Sequence, residues 1–233
     1  MPAFGFDLGD TLLEYAGLPL SWVDHYADAL HALARVLGVT PTAAEIEAGC
    51  GVLRCYNTRL RPREHEVSFA RVLAELQPCL GATSAPIDAD ACAAAFFGVF
   101  RQRLRCFPDA PVALDQLRAA GARLGIFTDV PYGMPRLLVM QDVAEAGLTG
   151  RFDVLLTSGE AGYRKPAVAT LQALATALDC TAAELAYVGN EEKDVAAARR
   201  FGCEAILLDR AQRRPAWGQA RTITSLLELT EPY

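Results

Sequence analysis

Four short runs of this sequence set reactive side chains directly after apolar stretches. Phe6-Asp7-Leu8-Gly9-Asp10-Thr11-Leu12 follows Ala3-Phe4-Gly5, and Ile126-Phe127-Thr128-Asp129 closes a second apolar run. Ser158-Gly159-Glu160-Ala161-Gly162-Tyr163-Arg164-Lys165-Pro166 brings a lysine to a proline, and Tyr187-Val188-Gly189-Asn190-Glu191-Glu192-Lys193-Asp194 gathers acids after a glycine. A carboxylate such as Asp7 can serve as a nucleophile that splits one hard hydrolysis into two easier steps. The Thr128 hydroxyl can donate to a phosphoryl oxygen, with backbone N–H groups around Asp129 adding to it. The Lys165 ammonium can neutralise charge on a nucleophile and on a transferring phosphoryl group. Asp194, together with Asp7 and a backbone carbonyl, makes the oxygen-rich, partly hydrated site that magnesium takes.

Such groups need a frame that brings strand ends together. After Pro108 the pattern alternates: helix over Pro111 to Gly121, strand over Arg123 to Phe127, helix within Arg136 to Ala146, strand over Phe152 to Thr157. It continues with a helix over Val168 to Leu178, a strand over Leu185 to Val188, a helix over Asp194 to Phe201 and a last core strand over Glu204 to Leu208. Short apolar strands alternating with helices predict a doubly wound parallel sheet, an α/β Rossmann-like fold that binds ligands at the carboxyl ends of its strands. Before Pro108 the periodicity is helical: from Ser21, a candidate cap, to Gly38, then Ala43 to Leu60, Glu64 to Leu80 and Asp88 to Arg105. Residues 15–105 therefore read as an all-helical insertion into a core of residues 1–14 and 106–233.

Taken in this order and spacing, the four segments resemble the signature motifs of the haloacid dehalogenase superfamily, over nearly the whole chain. The insertion stands where that superfamily carries its first-type helical cap. The resemblance implies Asp7 as the nucleophile of an aspartyl-phosphate pathway and Thr128, Asp129 and Lys165 on the phosphoryl group. It implies Mg²⁺ on Asp7, the Gly9 carbonyl, Asn190 and Asp194, with Glu191 and Glu192 as nearby candidates.

The sequence departs from the pattern at two places. Family phosphatases usually have a second Asp two residues after the nucleophile, where this chain has Gly9. Asp10, one place further on, is expected to point elsewhere and to hydrogen-bond within its loop unless the loop bends unusually. Asn190 stands where an Asp is frequent. Three functions follow: a Mg²⁺-dependent phosphohydrolase of a small phosphorylated metabolite, a 2-haloacid dehalogenase in which Asp7 attacks carbon, or a catalytically silent relative that binds a phosphorylated ligand or protein partner. The acids around Asp194 favour the first. Trp22, His25, Tyr56, Arg59 and Arg63 are either pocket residues or helix packing, and Trp22 shares an apolar stripe.

At 233 residues and 52% hydrophobic, the chain can bury a full core. A formal charge of −6 and a pI near 5.1 argue against a nucleic-acid partner, and the arginines at 59–63 and 101–105 read as solvated helix faces. The seven cysteines form no CxxC pair and, with no secretory leader, fit reduced cytoplasmic thiols. No apolar run approaches a membrane span.

Overall fold

The computed structural model describes residues 2–19, 21–82 and 88–230. Strand β1 (Ala3–Phe6) is followed by β2 (Leu13–Tyr15) and by helices α1 (Tyr26–Leu37), α2 (Ala43–Tyr56), α3 (Phe69–Cys79) and α4 (Ala89–Gly98). The chain returns through β3 (Leu104–Cys106), α5 (Asp109–Ala119), β4 (Arg123–Thr128), α6 (Arg136–Glu145), β5 (Val154–Thr157), α7 (Ser158–Ala161) and α8 (Val168–Ala177). It closes with β6 (Leu185–Gly189), α9 (Glu192–Phe201), β7 (Glu204–Leu208) and β8 (Arg221–Ile223).

Six strands form one sheet in the order β5-β4-β1-β6-β7-β8, and every neighbouring pair is parallel. Side chains alternate across it, as a strand requires. Ile126, Val188 and Ile206 face one core with α5 and α6, while Phe127, Tyr187 and Leu207 face another with α8 and α9. Gly5 and Gly125 let α8 sit close: a Cβ on either would lie 2.6 or 2.9 Å from the Leu174 side chain. The register sets Phe6 beside both Ile126 and Val188, so Asp7, Thr128 and Gly189 emerge together at the carboxyl edge.

The predicted α/β core is present, but the helical expectations run too long. The helix expected over Asp88 to Arg105 stops at Gly98, and Arg101 instead reaches α6, where Nε donates to Asp142 Oδ1 at 2.7 Å and Nη2 to the Leu138 carbonyl. The segment before α3 is extended rather than helical because it pairs with the core, as described below. Ser21 does not cap a helix: a 3-10 turn over Val23–His25 precedes α1, whereas Gly38 does end it in the left-handed conformation. The ends of the insertion are strands, pairing Leu13 with Cys106 and Tyr15 with Leu104 antiparallel. Nor is β7 the last core strand, because β8 extends the sheet beyond it.

Residues after β7 are tied back by one carboxylate. Asp109, at the start of α5, accepts both terminal nitrogens of Arg210 at 2.8 and 2.9 Å, plus Ser225 Oγ and the Leu226 N–H. Arg210 also donates to the Thr11 carbonyl in the loop after β1. Among the described residues no helix is long and apolar enough to cross a membrane, and all seven cysteines are free.

Candidate active site

Asp7 continues β1, its N–H bonded to the Val188 carbonyl at 2.9 Å. Lys165, whose side chain is 0% exposed, donates to Asp7 Oδ1 at 2.6 Å and to the Tyr187 hydroxyl at 3.0 Å. Its ammonium also lies 2.7 Å from Asp194 Oδ1, as an ion pair without hydrogen-bond geometry. Tyr187 is fixed in turn by donating to the Phe127 carbonyl at 2.7 Å. Burial pushes the Asp7 carboxyl up to about 7; Lys165 opposes this and Asp194 adds to it. Burial alone would lower Lys165, but Asp194 and Asp7 outweigh it and hold the ammonium well above its usual range.

Asp194 sits in the first turn of α9 and spends Oδ2 on the N–H groups of Asn190 and Glu191, at 3.1 and 2.9 Å. Gly189 makes this possible, because a Cβ there would fall 2.4 Å from Asp194 Cβ. Asp194 Oδ1 is thus left facing Asp7 and Lys165. Among the described residues no hydrogen bond ends on the Gly9 carbonyl, and no group of three or more His, Cys, Asp or Glu side chains is gathered for a metal. Two carboxylates and a free carbonyl fit a magnesium ion that keeps water and substrate oxygens in its shell. Asn190 is engaged elsewhere, its Oδ1 accepting from Thr11 Oγ1 at 3.2 Å.

The cavity above Asp7 has a volume of about 180 Å³. Thr128 lines it and, among the described residues, makes no side-chain hydrogen bond, so its hydroxyl is open to a ligand. Asp129 lines it too, but its carboxylate is committed. Oδ1 accepts from the Lys165 N–H at 3.0 Å, and Oδ2 lies 3.1 Å from Lys193 Nζ and 3.9 Å from an Arg164 nitrogen. Burial would raise this carboxyl, yet Lys193, Lys165 and Arg164 overcome it and hold it at about 2.

The Asp10 N–H donates to the Leu13 carbonyl at 2.7 Å, while its carboxylate makes no hydrogen bond among the described residues. Its backbone is left-handed, φ 57°, and it shares the cavity wall with Asp7 and Gly9. Burial, with Glu191 and Glu14, raises its carboxyl.

Tyr56 and Arg59 line the cavity, and Trp22 does so while stacking on Phe100 at 4.1 Å; His25 and Arg63 do not. The arginines expected on solvated helix faces lie off the helices. Arg59 pairs with Glu191 across the site, and Arg101 with the buried Asp142. Sequence reasoning passed over Lys193, which bridges Asp129 and Glu191 at 3.1 and 3.0 Å, although it lies inside the fourth segment. It also missed Arg164 and Glu66.

A parallel sheet whose central strand ends in an aspartate, with its neighbours stepping away on either side, defines an α/β enzyme with its site at the switch point. The haloacid dehalogenase-like hydrolase family model matches residues 1–202, and the chain belongs to that family. It is 34% identical over 215 residues to a phosphoglycolate phosphatase of Cereibacter sphaeroides, covering 91% of this chain and 87% of that protein. It is 30% identical to a ribulose-1,5-bisphosphate 5-phosphatase of Halopiger xanaduensis over 56% of this chain, and 35% identical to a phosphoserine phosphatase of Thermus thermophilus over 57%. The matches span about half of those two relatives, 54% and 51%. A phosphatase of this family from Thermococcus onnurineus shares the fold at a TM-score of 0.67 and 22% identity, with 98% of this chain and 96% of that one covered. A 2-haloacid dehalogenase from Pseudomonas syringae does so at 0.64 and 22%, with the same coverage.

Proposed function

We propose that this hydrolase is a Mg²⁺-dependent phosphatase of a small phosphorylated metabolite, acting through an aspartyl-phosphate on Asp7. The observation that carries the reading is the Asp7–Lys165–Asp194 cluster at the strand ends, beside an unengaged Thr128 hydroxyl. An Asp7 oxygen attacks phosphorus in line, the ester P–O bond breaks, and water then attacks the acyl phosphate to release inorganic phosphate. Thr128 Oγ1 donates to a phosphoryl oxygen while the buried Lys165 opposes protonation of Asp7 and holds it in place. Asp7, Asp194 and the Gly9 carbonyl would hold Mg²⁺, which when bound supplies positive charge to the phosphoryl oxygens. Asp10, turned into the cavity, is the group assigned to protonate the leaving oxygen in place of the carboxyl that Gly9 lacks. Residues 15–105 act as a cap over the core formed by 1–14 and 106–233, bringing Trp22, Tyr56 and Arg59 to the substrate. The phosphoglycolate and phosphoserine phosphatases among the relatives point to small phosphate monoesters carrying a carboxylate.

The test is phosphate release from a panel of phosphorylated organic acids, sugars and nucleotides with Mg²⁺, by wild type and Asp7→Asn. Release by wild type alone supports the reading. Halide release from 2-haloacids without metal, and no phosphate, would replace it with the dehalogenase.

A further inference from the structure

Between α2 and α3 the helical insertion sends an extended strap back onto the core. His65 and Tyr163 form an antiparallel bridge: the Glu66 N–H donates to the Gly162 carbonyl at 2.9 Å, and the Arg164 N–H to the Glu64 carbonyl at 2.8 Å. The Glu66 side chain is 2% exposed. It accepts from Ser158 Oγ at 2.5 Å, from the Val67 N–H at 2.8 Å and from Arg164 Nη1. Arg164 also donates to the Val130 carbonyl and faces Asp129, which receives the Lys165 N–H. The strap runs so close to Gly133 that a Cβ there would lie 2.3 Å from the Val67 carbonyl oxygen.

The two linkers of the insertion are clamped as well. Tyr15 donates to Asp142 Oδ2 at 2.5 Å and Arg101 to Asp142 Oδ1 at 2.7 Å, on a carboxylate that is itself buried on α6. Swinging the insertion away would break the Glu66 contacts to Ser158 and Arg164, leaving that carboxylate to Arg63 and the Val67 N–H, and would take both Tyr15 and Arg101 from Asp142, a costly loss for buried charge. The remaining cavity wall differs. There the insertion meets the core through Arg59 and Glu191, and the Arg59 side chain is 41% exposed.

We infer that the strap around Glu66 stays seated on the core throughout the reaction cycle, and that Glu66 is a positioning residue. Through Arg164 it fixes Asp129 and the backbone of Lys165, so substrate passes on the Arg59–Glu191 side. The kinetic consequences rest on the proposed phosphatase activity; the seating of the strap does not.

Hydrogen exchange of the Glu66 and Arg164 amides tests the seating directly, with and without inorganic phosphate. Protection within tenfold of the β5 amides is expected, and exchange a hundredfold faster would overturn it. A crosslink tests it during turnover. His65 and Tyr163 form the non-hydrogen-bonded type of antiparallel pair, whose Cα separation of about 4.5 Å suits a disulfide. In His65→Cys/Tyr163→Cys, the oxidised protein should keep at least half the turnover of the reduced one, after correction for reductant effects on wild type. A tenfold loss restored by reductant would show that the strap must lift. Glu66→Gln should lower kcat about tenfold and change KM less than twofold; an unchanged kcat in a folded variant that merely melts lower would remove the positioning role. Should wild type hydrolyse no phosphate ester, the phosphatase reading falls while hydrogen exchange still decides on the strap.

Discussion

Replacing Asp129 by Asn probes the charge balance around the site without touching the nucleophile. Its carboxyl is held at about 2 against an ordinary 3.8, because Lys193, Lys165 and Arg164 outweigh the penalty of burial. At about 1.4 kcal/mol per pH unit the difference corresponds to roughly 2 to 3 kcal/mol of stability at neutral pH. Asn imitates the protonated acid in shape, so Asp129→Asn should lose about that amount at pH 7. For a chain of this size this is a fall of about 5 to 10 °C in Tm. The unfolded chain takes up its proton near 3.8 and the folded one only near 2, so the folded state loses stability as pH falls through that interval. The gap between wild type and variant should therefore be constant above about pH 5 and narrow below 4. Guanidinium unfolding of both proteins from pH 7 to pH 3 measures it. A gap that stays as large at pH 3 as at pH 7, or one below about 0.5 kcal/mol throughout, would refute the electrostatic account.

Asp10→Asn should lower kcat by about 10²- to 10⁴-fold on alkyl phosphates and much less on esters with good leaving groups; equal losses on both would deny it the proton transfer. Gly189→Ala would force a Cβ to within 2.4 Å of Asp194. It should cost about 1 to 3 kcal/mol of stability and weaken Mg²⁺ binding by calorimetry, and unaltered metal affinity would argue against Asp194 as a ligand. In metal-free protein the Asp7 carboxyl should titrate at about 7 by carbon NMR, as burial dictates, and move down on adding Mg²⁺. Because folding raises this acid, metal-free protein should lose stability as pH rises from about 4 to 7. A titration near 4 without metal would contradict the burial argument.

Much of the core was legible because its strands are apolar runs buried on both faces, and because Asp7 and Thr128 stand at strand ends while Lys165 and Asp194 lie in the segments after β5 and β6. What escaped has physical reasons. Strands β2, β3 and β8 have three residues each, too few for alternation to register, and they exist only through their partners. The helix periodicity in residues 64–68 lost to backbone pairing with residues 162–164, nearly a hundred positions away, which no local pattern reports. The cations around Asp129 come from the segment before α8 and from the first turn of α9, partners that no local pattern around Asp129 reports. Asp10 was read from strand alternation, which its left-handed backbone breaks.

The clasp on Asp109 gives the last stretch of chain a say in chemistry it never touches. The family match ends at residue 202, yet Arg210 holds the carbonyl of Thr11, four positions from the nucleophile, while sharing Asp109 with Ser225 and Leu226. Trimming the protein after residue 208 would leave the signature residues intact and still slacken the loop that aims Asp7. A minimal catalytic fragment of this enzyme is therefore longer than its signature motifs suggest, and its tail is a poor place for a splice.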